Sequence, residues 1–445
     1  MQTAIAKNAL KQPDVKLSEQ ILRSCVHCGF CNATCPTYPV FGNELEGPRG
    51  RIYLMKSVLE ERIKLNRDIV KHLDNCLSCF SCETTCPSGV RYSHLIDPMR
   101  ARIESEHKRS FLDKMQRKSL AMVLPEPDKF RKALTLARLA KPIAFLLPRS
   151  LGTMVKMAPM RLPARSRLDQ YAVHVAQGPR RARVALLTGC AQKVLGPFIN
   201  DATIRFLTRI GCEVILPPDA GCCGALVFHM GNNKDSLPYM KRLIDVWHEE
   251  LSNGGLDYIV INTSGCGTVI KDYGHIFRND PEYAQKAAAV SAIAKDFSEV
   301  VDDLGIPPEV PVKPPEGVRV AYHDACSLQH GQKIRNQPRE NLRAAGYTVV
   351  DIPQGHLCCG SAGTYNMLHP DTAALLGRDK ARQIIKVKPD VVATANLGCM
   401  EQIAQHTKTP LAHAAELMDW ATGGMPPRSL RRRYRNGGKP KHNAS

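Results

Sequence analysis

Two short cysteine runs near the start of the chain constrain its fold and chemistry more than any other feature. The first run extends from Cys25 to Cys35-Pro36, and the second extends from Cys76 to Cys86-Pro87. Both follow the spacing C-x2-C-x2-C-x3-C-P. Thiolates are the soft ligands that iron–sulfur clusters select. The two runs therefore predict an iron–sulfur protein.

The spacing is typical of bacterial domains that hold two [4Fe–4S] clusters. In that arrangement three cysteines of a run hold one cluster, and the fourth cysteine ligates the other cluster. A pair of structural zinc sites is the alternative, but zinc usually takes two separated C-x2-C pairs. We therefore predict a crossed assignment, in which cluster 1 has Cys25, Cys28, Cys31 and Cys86, and cluster 2 has Cys35, Cys76, Cys79 and Cys82.

The length and the cysteine content indicate a multidomain protein with redox chemistry. The chain has 445 residues, enough for two to four domains. It has no apolar run near the ~18 residues of a membrane span, and its first residues lack the apolar core of a secretory signal. We therefore expect a cytoplasmic protein, in which 17 cysteines indicate metal or redox chemistry rather than disulfides.

The net charge of +19 is concentrated in two segments. Residues 101–183 carry 19 Lys and Arg against 6 Asp and Glu, and residues 426–445 carry 7 Lys and Arg and no acid. Such segments bind anionic lipid or an acidic partner, or they form a solvated linker and a disordered tail. We see no nucleic-acid-binding motif and expect no nucleic-acid partner. Residues 130–140 fit a basic amphipathic helix, which either lies on a membrane or packs on a neighbour.

A helix is predicted between the two cysteine runs, beginning at Pro48 and carrying Arg49 and Arg51 near its start. Pro is tolerated in the first turn of a helix. These two arginines either raise the potential of a nearby cluster through their positive charge, or they are ordinary surface residues.

The second half of the chain contains an internal duplication. Strand patterns that end at Cys190, at Cys222-Cys223 and at Cys266 return at Cys326, at Cys358-Cys359 and at Cys399. The counterparts are separated by 136, 136 and 133 residues. Strands alternate with helices, so each repeat is predicted to be an α/β unit with cysteines at the carboxyl ends of its strands, where parallel sheets place their sites. Cys212 has no counterpart and is predicted to be a buried structural residue.

Each repeat offers four sulfur ligands. We expect one further site at Cys190, Cys222, Cys223 and Cys266, and another at Cys326, Cys358, Cys359 and Cys399. Histidines and an acid lie beside these cysteines at His323, Asp324 and His356. They either relay protons and tune potential by hydrogen bonding to sulfur, or they are packing residues.

This half resembles the cysteine-rich CCG domain found in the B subunit of heterodisulfide reductase and its relatives. In each repeat, 31 residues precede the double cysteine, as in the family pattern. The family pattern ends in C-x-x-C, whereas here Cys266 is followed by Gly267-Thr268-Val269 and Cys399 by Met400-Glu401-Gln402. Four thiolates per repeat suit an ordinary [4Fe–4S] cluster or a site that no longer holds metal.

Residues 20–420 resemble the iron–sulfur subunits of glycolate oxidases, with lactate utilization protein A and the C subunit of anaerobic glycerol-3-phosphate dehydrogenase as relatives. The stretches that carry the resemblance are CVHCGFCNATCPTYPVFGNELEGPRGRIYL, CETTCPSGVRY, SGCGTVIKDYG, HLCCGSAGTYNMLHP and TANLGC. The resemblance implies a partner FAD subunit that oxidises glycolate to glyoxylate, with electrons passing through this chain to a membrane quinone or another acceptor. It also implies a peripheral position on the cytoplasmic face of the inner membrane.

The chain itself has no dinucleotide fingerprint and no obvious flavin site. Oxidation of a 2-hydroxy acid is hydride chemistry, which flavins perform and iron–sulfur clusters do not, so no catalytic residue is expected here. The alternatives are a related lactate or glycerol-3-phosphate dehydrogenase subunit, a heterodisulfide-reductase-like thiol/disulfide catalyst, and an iron–sulfur sensor.

The predicted fold class is α+β multidomain, with a helical two-cluster [4Fe–4S] ferredoxin-like domain followed by two duplicated α/β CCG repeats. The boundaries are residues 1–119 for the ferredoxin-type domain, 120–182 for a basic, proline-interrupted linker, 183–312 and 313–425 for the repeats, and 426–445 for a disordered tail.

Overall fold

The computed structural model describes residues 1–434, with the backbone alone at residues 149 and 150. The chain forms two compact units. Unit 1 comprises Met1–Pro159, Gly224–Lys241 and His356–Leu376, and unit 2 comprises Met160–Cys223, Arg242–Gly355 and Gly377–Ser445. Among the described residues, no helix is both long and apolar enough to cross a bilayer.

Unit 1 is helical. Its N-terminal helices pack around buried apolar side chains that include Leu22, Met55, Leu73 and Ile96. Cys25, Cys76 and Cys82 belong to the same buried core, so this core supports the cysteine loops. The helices of residues 1–159 are α1 (Pro13–Ser24), α2 (Thr37–Phe41), α3 (Pro48–Leu59), α4 (Arg67–Asp74), α5 (Ser81–Thr85), α6 (Ser93–Glu106), α7 (Phe111–Val123), α8 (Pro127–Ala140) and α9 (Arg149–Met157).

The region predicted to be a linker is largely helical. Helix α8 covers the predicted amphipathic helix and begins with Pro127 in its first turn. A 3-10 helix, Lys141–Leu146, follows it and precedes α9. Each of these helices stops near a proline, because proline cannot continue the hydrogen-bonding pattern of the preceding turn.

Unit 2 contains two sheets, one from each repeat. The first has the strand order β1-β3-β2-β4-β5, and all its neighbours are parallel except the β1–β3 pair. The second has the order β7-β6-β8-β9 and is entirely parallel. The strands are β1 (Ala172–His174), β2 (Ala182–Leu187), β3 (Cys212–Leu216), β4 (Tyr258–Ile261), β5 (Ala294–Asp296), β6 (Arg319–Tyr322), β7 (Thr348–Asp351), β8 (Val391–Thr394) and β9 (Leu411–His413).

The strands β3-β2-β4-β5 and β7-β6-β8-β9 occupy the same positions in their sheets, which confirms the predicted duplication. The remaining helices are α10 (Gln192–Leu195), α11 (Pro197–Arg209), α12 (Ala225–Phe228), α13 (Asn233–Ser252), α14 (Ser264–Lys271), α15 (Tyr273–Ile276), α16 (Ala284–Ile293), α17 (Phe297–Leu304), α18 (Gln337–Ala344), α19 (Tyr365–Leu368), α20 (Pro370–Lys386), α21 (Leu397–Ala404) and α22 (Ala414–Ala421), with a π-helical turn at Ser327–Gly331.

The two repeats pack on each other through equivalent helices. Helix α11 of the first repeat contacts α22 of the second, and α18 of the second contacts α17 of the first. Asp419 of α22 is buried and accepts hydrogen bonds from Arg205 and Arg209 of α11. One continuous apolar core, which includes Val184 of β2 and Val320 of β6, underlies both sheets.

The part of the basic tail that is described is attached to this core. Leu430 is fully buried, and the ring of Tyr434 packs edge-on against Trp420 with 5.0 Å between centroids. The predicted disorder of the tail therefore does not apply to residues 426–434. Residues 435–445 lie outside the described residues.

Candidate metal centres

The two cysteine runs form loops of the same conformation. Each cysteine of the second run follows its counterpart by 51 residues. The residues at matching positions between cysteines have left-handed backbones, with φ of 59° at His27 and 49° at Ser78, and of 86° at Gly29 and 56° at Phe80. Such conformations are costly for residues other than glycine and persist where the surroundings require them, often at functional sites. They make each loop curl around a cavity.

The loops bring the eight cysteines to the walls of two cavities. One cavity is lined by Cys25, Cys28, Cys31 and Cys86, and the other by Cys35, Cys76 and Cys79, with Cys82 at the wall of both. Neither cavity has an Asp or Glu among its lining residues. Four cysteine sulfurs without carboxylates fit a [4Fe–4S] cluster, which takes one thiolate per iron, and do not fit a hard cation such as Mg²⁺.

Burial keeps several of these thiols protonated in the absence of metal. It raises the pKa of Cys31 to about 11 and raises the pKa of Cys82 well above its ordinary value. Neighbouring thiols add to both shifts through charge repulsion, Cys25 at Cys31 and Cys79 at Cys82. Metal binds thiolates, so assembly of a centre at these loops releases protons.

Arg51 lies against the second cavity rather than on the surface. Its side chain is 1 % exposed and its Nη2 donates to Glu46 Oε2 at 2.7 Å. Its Nε donates to the carbonyl of His72 at 2.7 Å and its Nη1 to Thr37 Oγ1 at 3.1 Å. Burial opposes the charge, but Cys76 and other acidic neighbours raise the pKa of Arg51 above its ordinary value. Arg51 therefore places a permanent positive charge beside the cysteines of the second cavity.

Arg49 differs from Arg51 in its exposure. It lines the first cavity, but its side chain is 35 % exposed and pairs with Glu44 at 2.6 Å. Of the two interpretations left open by the sequence, the buried environment of Arg51 favours a charge that acts on a cluster, whereas Arg49 forms a partly solvated ion pair.

The four cysteines of the first repeat lie together at the carboxyl edge of its sheet. Cys222 Sγ lies 3.5 Å from Cys190 Sγ, and Cys223 forms thiol contacts with Cys222 and Cys266. The hydrogen bond with Cys222 and burial raise the pKa of Cys190 well above its ordinary value. Tyr273 Oη donates to the Cys223 carbonyl at 2.8 Å and so fixes the double cysteine. The donor set consists of four sulfurs and fits a cluster.

The cysteines of the second repeat are divided between the units. Cys326 and Cys399 belong to unit 2, where Cys399 is buried and accepts a hydrogen bond from Asn396 Nδ2 at 3.3 Å. Cys358 and Cys359 belong to unit 1 and are both buried, and the Gly360 amide donates to Cys358 Sγ at 3.4 Å.

Each double cysteine is followed by a glycine that the backbone requires. Gly224 and Gly360 have φ of 76° and 90°, in the left-handed region. A Cβ atom at Gly360 would come within 2.6 Å of the Ala373 carbonyl oxygen, and one at Gly224 within 2.9 Å of that of Ser236. Glycine is therefore the residue that lets the chain turn directly after the two sulfurs.

The residues beside the cysteines have different environments. Asp324 is bound by both Nη atoms of Arg339, at 2.7 and 2.6 Å, which favours a structural ion pair over proton relay. His323 is buried, and burial together with the charge of Lys380 lowers its pKa well below the ordinary value, so its imidazole is neutral. His356 is half-buried in unit 1. Cys212 is buried in β3 among apolar side chains, as predicted.

Comparisons with known proteins identify the domains and the family. A 4Fe-4S dicluster domain model matches residues 21–90, and a cysteine-rich domain model, named CCG, matches residues 184–271 and 320–404. The glycolate oxidase iron-sulfur subunit of Escherichia coli is 38 % identical over 426 residues, which cover 95 % of this chain and 99 % of the relative. The chain belongs to the family of glycolate oxidase iron–sulfur subunits. It is an iron–sulfur protein with two [4Fe–4S] clusters.

Further relatives share part of this architecture. The probable glycolate oxidase iron-sulfur subunit of Bacillus subtilis is 30 % identical over 92 % of this chain and 96 % of its own. Lactate utilization protein A of Exiguobacterium is 26 % identical over 53 % of this chain and 96 % of its own. A crystal structure of a hypothetical protein from Helicobacter pylori has a TM-score of 0.53 at 12 % identity, covering 96 % of this chain and 74 % of that one, and indicates a shared fold alone.

Sequence reasoning missed several side chains around the cysteines of this family member. Tyr92 is buried and its hydroxyl donates to Cys76 Sγ at 3.6 Å. Glu46, besides pairing with Arg51, contacts His72 Nδ1 at 2.7 Å and accepts from Asn75 Nδ2 at 2.9 Å. Tyr92 lies in the CPSGVRY stretch at the end of the second run. Its closeness in sequence to the cysteines was the one signal from which its contact with them could have been predicted.

Proposed function

We propose that this chain is the electron-transfer subunit of a glycolate dehydrogenase complex. A partner FAD subunit oxidises glycolate to glyoxylate, and the electrons pass one at a time through this chain towards a membrane quinone or another acceptor. The observation that carries the proposal is the pair of cysteine-lined cavities that share Cys82, in a chain 38 % identical to a glycolate oxidase iron–sulfur subunit over nearly its whole length.

The ligand assignment is part of this proposal. Cys25, Cys28, Cys31 and Cys86 hold cluster 1, and Cys35, Cys76, Cys79 and Cys82 hold cluster 2. Bound [4Fe–4S] clusters accept and release single electrons. The protein holds them close together through the shared wall at Cys82, and it shields cluster 2 with Arg51 and Tyr92, which both line that cavity.

We further propose that the two repeats, residues 183–312 and 313–425, each hold one more iron–sulfur centre on their four cysteines. Tyr365 of unit 1 is buried. Burial raises the pKa of its hydroxyl, and the charges of the Cys76 and Cys358 thiols add to that shift. Its ring stacks on His369 with centroids 4.6 Å apart. These aromatic groups support electron flow from cluster 2 towards the double cysteine of the second repeat.

The surface of α8 and the following 3-10 helix supports contact with an anionic membrane. Leu139 and Phe145 are 68 % and 75 % exposed, and Leu136, Ile143 and Leu146 are also exposed. Arg131, Lys132 and Arg138 lie on the same helix. Exposed apolar side chains beside basic ones are typical of helices that lie in the interface of a bilayer. We therefore propose a peripheral position on the cytoplasmic face of the inner membrane.

Anaerobic purification of the complex tests the proposal. We expect a bound partner that contains FAD, together with dye reduction that depends on glycolate, with lactate and glycerol 3-phosphate as competing substrates. An iron content of about 8 per chain means that the ferredoxin-type pair alone is loaded, and about 12 or 16 means that one or both repeats also bind clusters. Disulfide reduction by the isolated chain, or loss of lactate activity without loss of glycolate activity in a deletion strain, would contradict it.

A further inference from the structure

His323 is a buried polar side chain for which the fold alone gives no reason. It follows strand β6 and lies three residues before Cys326. His323 is 1 % exposed, and neither its Nδ1 nor its Nε2 has a hydrogen-bond partner among the described residues. Leaving two buried polar atoms unpaired is costly, and such groups are rare in folded proteins unless an ion, a water molecule or a ligand satisfies them.

The imidazole lies beside a cysteine of the second repeat. A ring nitrogen of His323 and Cys399 Sγ are within 4.8 Å of each other. The backbone amide of His323 donates to the Ala393 carbonyl at 2.8 Å, which ties the end of β6 to β8, the strand before Cys399. Asn396 Nδ2 donates to the same sulfur at 3.3 Å. A nitrogen donor and a sulfur donor are therefore held on the same edge of one sheet.

The first repeat shows that the fold does not need a histidine at this position. At the offset of 136 residues that relates the cysteines, the counterpart of His323 is Leu187, the last residue of β2. Leu187 is also 1 % exposed, so the site is equally buried in both repeats. An apolar side chain fills it in one repeat, and a histidine with two unpaired nitrogens fills it in the other.

We propose that His323 supplies a nitrogen ligand, next to Cys399, to the iron–sulfur centre of the second repeat. The inference rests on the proposed function in one respect, that this repeat holds a centre. Imidazole replaces thiolate on iron in some iron–sulfur proteins, where it raises the reduction potential. The two repeats then differ in chemistry: the first centre has sulfur donors alone, and the second has a nitrogen in place of one sulfur. The second centre has the higher potential and receives electrons last.

Pulsed EPR of the reduced, anaerobically purified chain tests this ligand. We expect a strongly coupled nitrogen that changes from a ¹⁴N to a ¹⁵N pattern when the protein is labelled with ¹⁵N-histidine. His323→Leu, which copies the first repeat, loses that coupling and about 4 iron atoms per chain. His323→Cys restores the iron with a sulfur donor but has no nitrogen coupling and a lower potential.

The controls separate this inference from the proposed function. His413 is buried in the same repeat, but its Nδ1 accepts a hydrogen bond from the Ala415 amide, so His413→Asn retains the nitrogen coupling. Wild-type protein without a coupled histidine nitrogen, or with iron in the ferredoxin-type pair alone, overturns the inference. The signals of that pair are measured in the same samples, and their absence from the wild type contradicts the proposed function instead.

Discussion

Replacement of Arg51 by Met tests how the protein tunes its second cluster. Arg51 and Glu46 form a buried ion pair, with side chains 1 % and 4 % exposed. Removing one partner of such a pair leaves the other charge unpaired and costs about 3–5 kcal/mol. Folded proteins have about 5–15 kcal/mol of total stability. We therefore expect a large fall in the free energy of unfolding, measured by denaturant titration of the anaerobic protein.

The same change lowers the reduction potential of cluster 2. A unit charge about 6 Å from a cluster, acting through an effective dielectric constant of about 20, contributes about 3 kcal/mol. For one electron this corresponds to about 120 mV, at about 2.3 kcal/mol per 100 mV. Reduction adds negative charge, which the arginine favours, so its loss makes reduction harder. An EPR-monitored redox titration should show cluster 2 lower by up to about 120 mV and cluster 1 little changed.

Three further variants make this result decisive. Arg51→Lys retains the charge and should keep most of the potential while losing stability. The double variant Arg51→Met with Glu46→Gln removes both charges, so its potential should fall less than that of Arg51→Met alone. Arg49→Met breaks the half-exposed pair with Glu44 and should cost less than about 1 kcal/mol. Wild-type potential and stability in Arg51→Met would refute the argument that the buried charge acts on the cluster.

Three other predictions follow from described contacts. Cys35→Ser should remove the EPR signal of cluster 2 and leave that of cluster 1, and loss of cluster 1 instead would contradict the crossed assignment. Cys212 is a buried cysteine outside the predicted sites, so the control variant Cys212→Ser should keep the full iron content. Phe145→Asp should weaken sedimentation with vesicles of anionic lipid by about tenfold without changing the iron content, as expected for an exposed apolar side chain that enters a bilayer, and unchanged sedimentation would show that this surface faces a protein instead. Burial, with Glu299 adding to it and Lys271 opposing it, raises the pKa of Asp296 to about 6. A carboxyl with a raised folded-state pKa destabilises the fold as pH rises from about 4 past about 6, so Asp296→Asn should stabilise the protein by about 3 kcal/mol at pH 8 and little at pH 4. Unfolding curves at the two pH values measure this difference, and equal effects at both would exclude it.

The local cysteine spacing identified the iron–sulfur chemistry from the sequence alone. In a C-x2-C-x2-C loop the ligands are so close in the chain that few backbone conformations can bring their sulfurs together. Left-handed residues stand at matching positions of the two loops, so both loops adopt the same conformation. The duplication was also readable, because buried parallel strands are continuous apolar runs and the cysteines recur after them at nearly constant distance.

Contacts between residues far apart in the chain were decided by tertiary structure. Nothing in the sequence distinguishes Arg51, which is buried with Glu46 and His72, from Arg49, which is partly exposed two residues earlier. The sequence likewise does not indicate that Asp324 pairs with Arg339 or that β1 joins the edge of the first sheet. They depend on which surfaces meet after the chain has folded.

The sequence and the tertiary structure therefore answer different questions about this protein. The sequence determined which cysteines are candidate iron ligands, because ligand type and spacing are local properties. The tertiary structure determined what surrounds them, since burial and hydrogen bonding depend on the whole unit. His323 shows the difference: the sequence placed it near Cys326, but only the packed repeat left both its nitrogens unpaired beside Cys399.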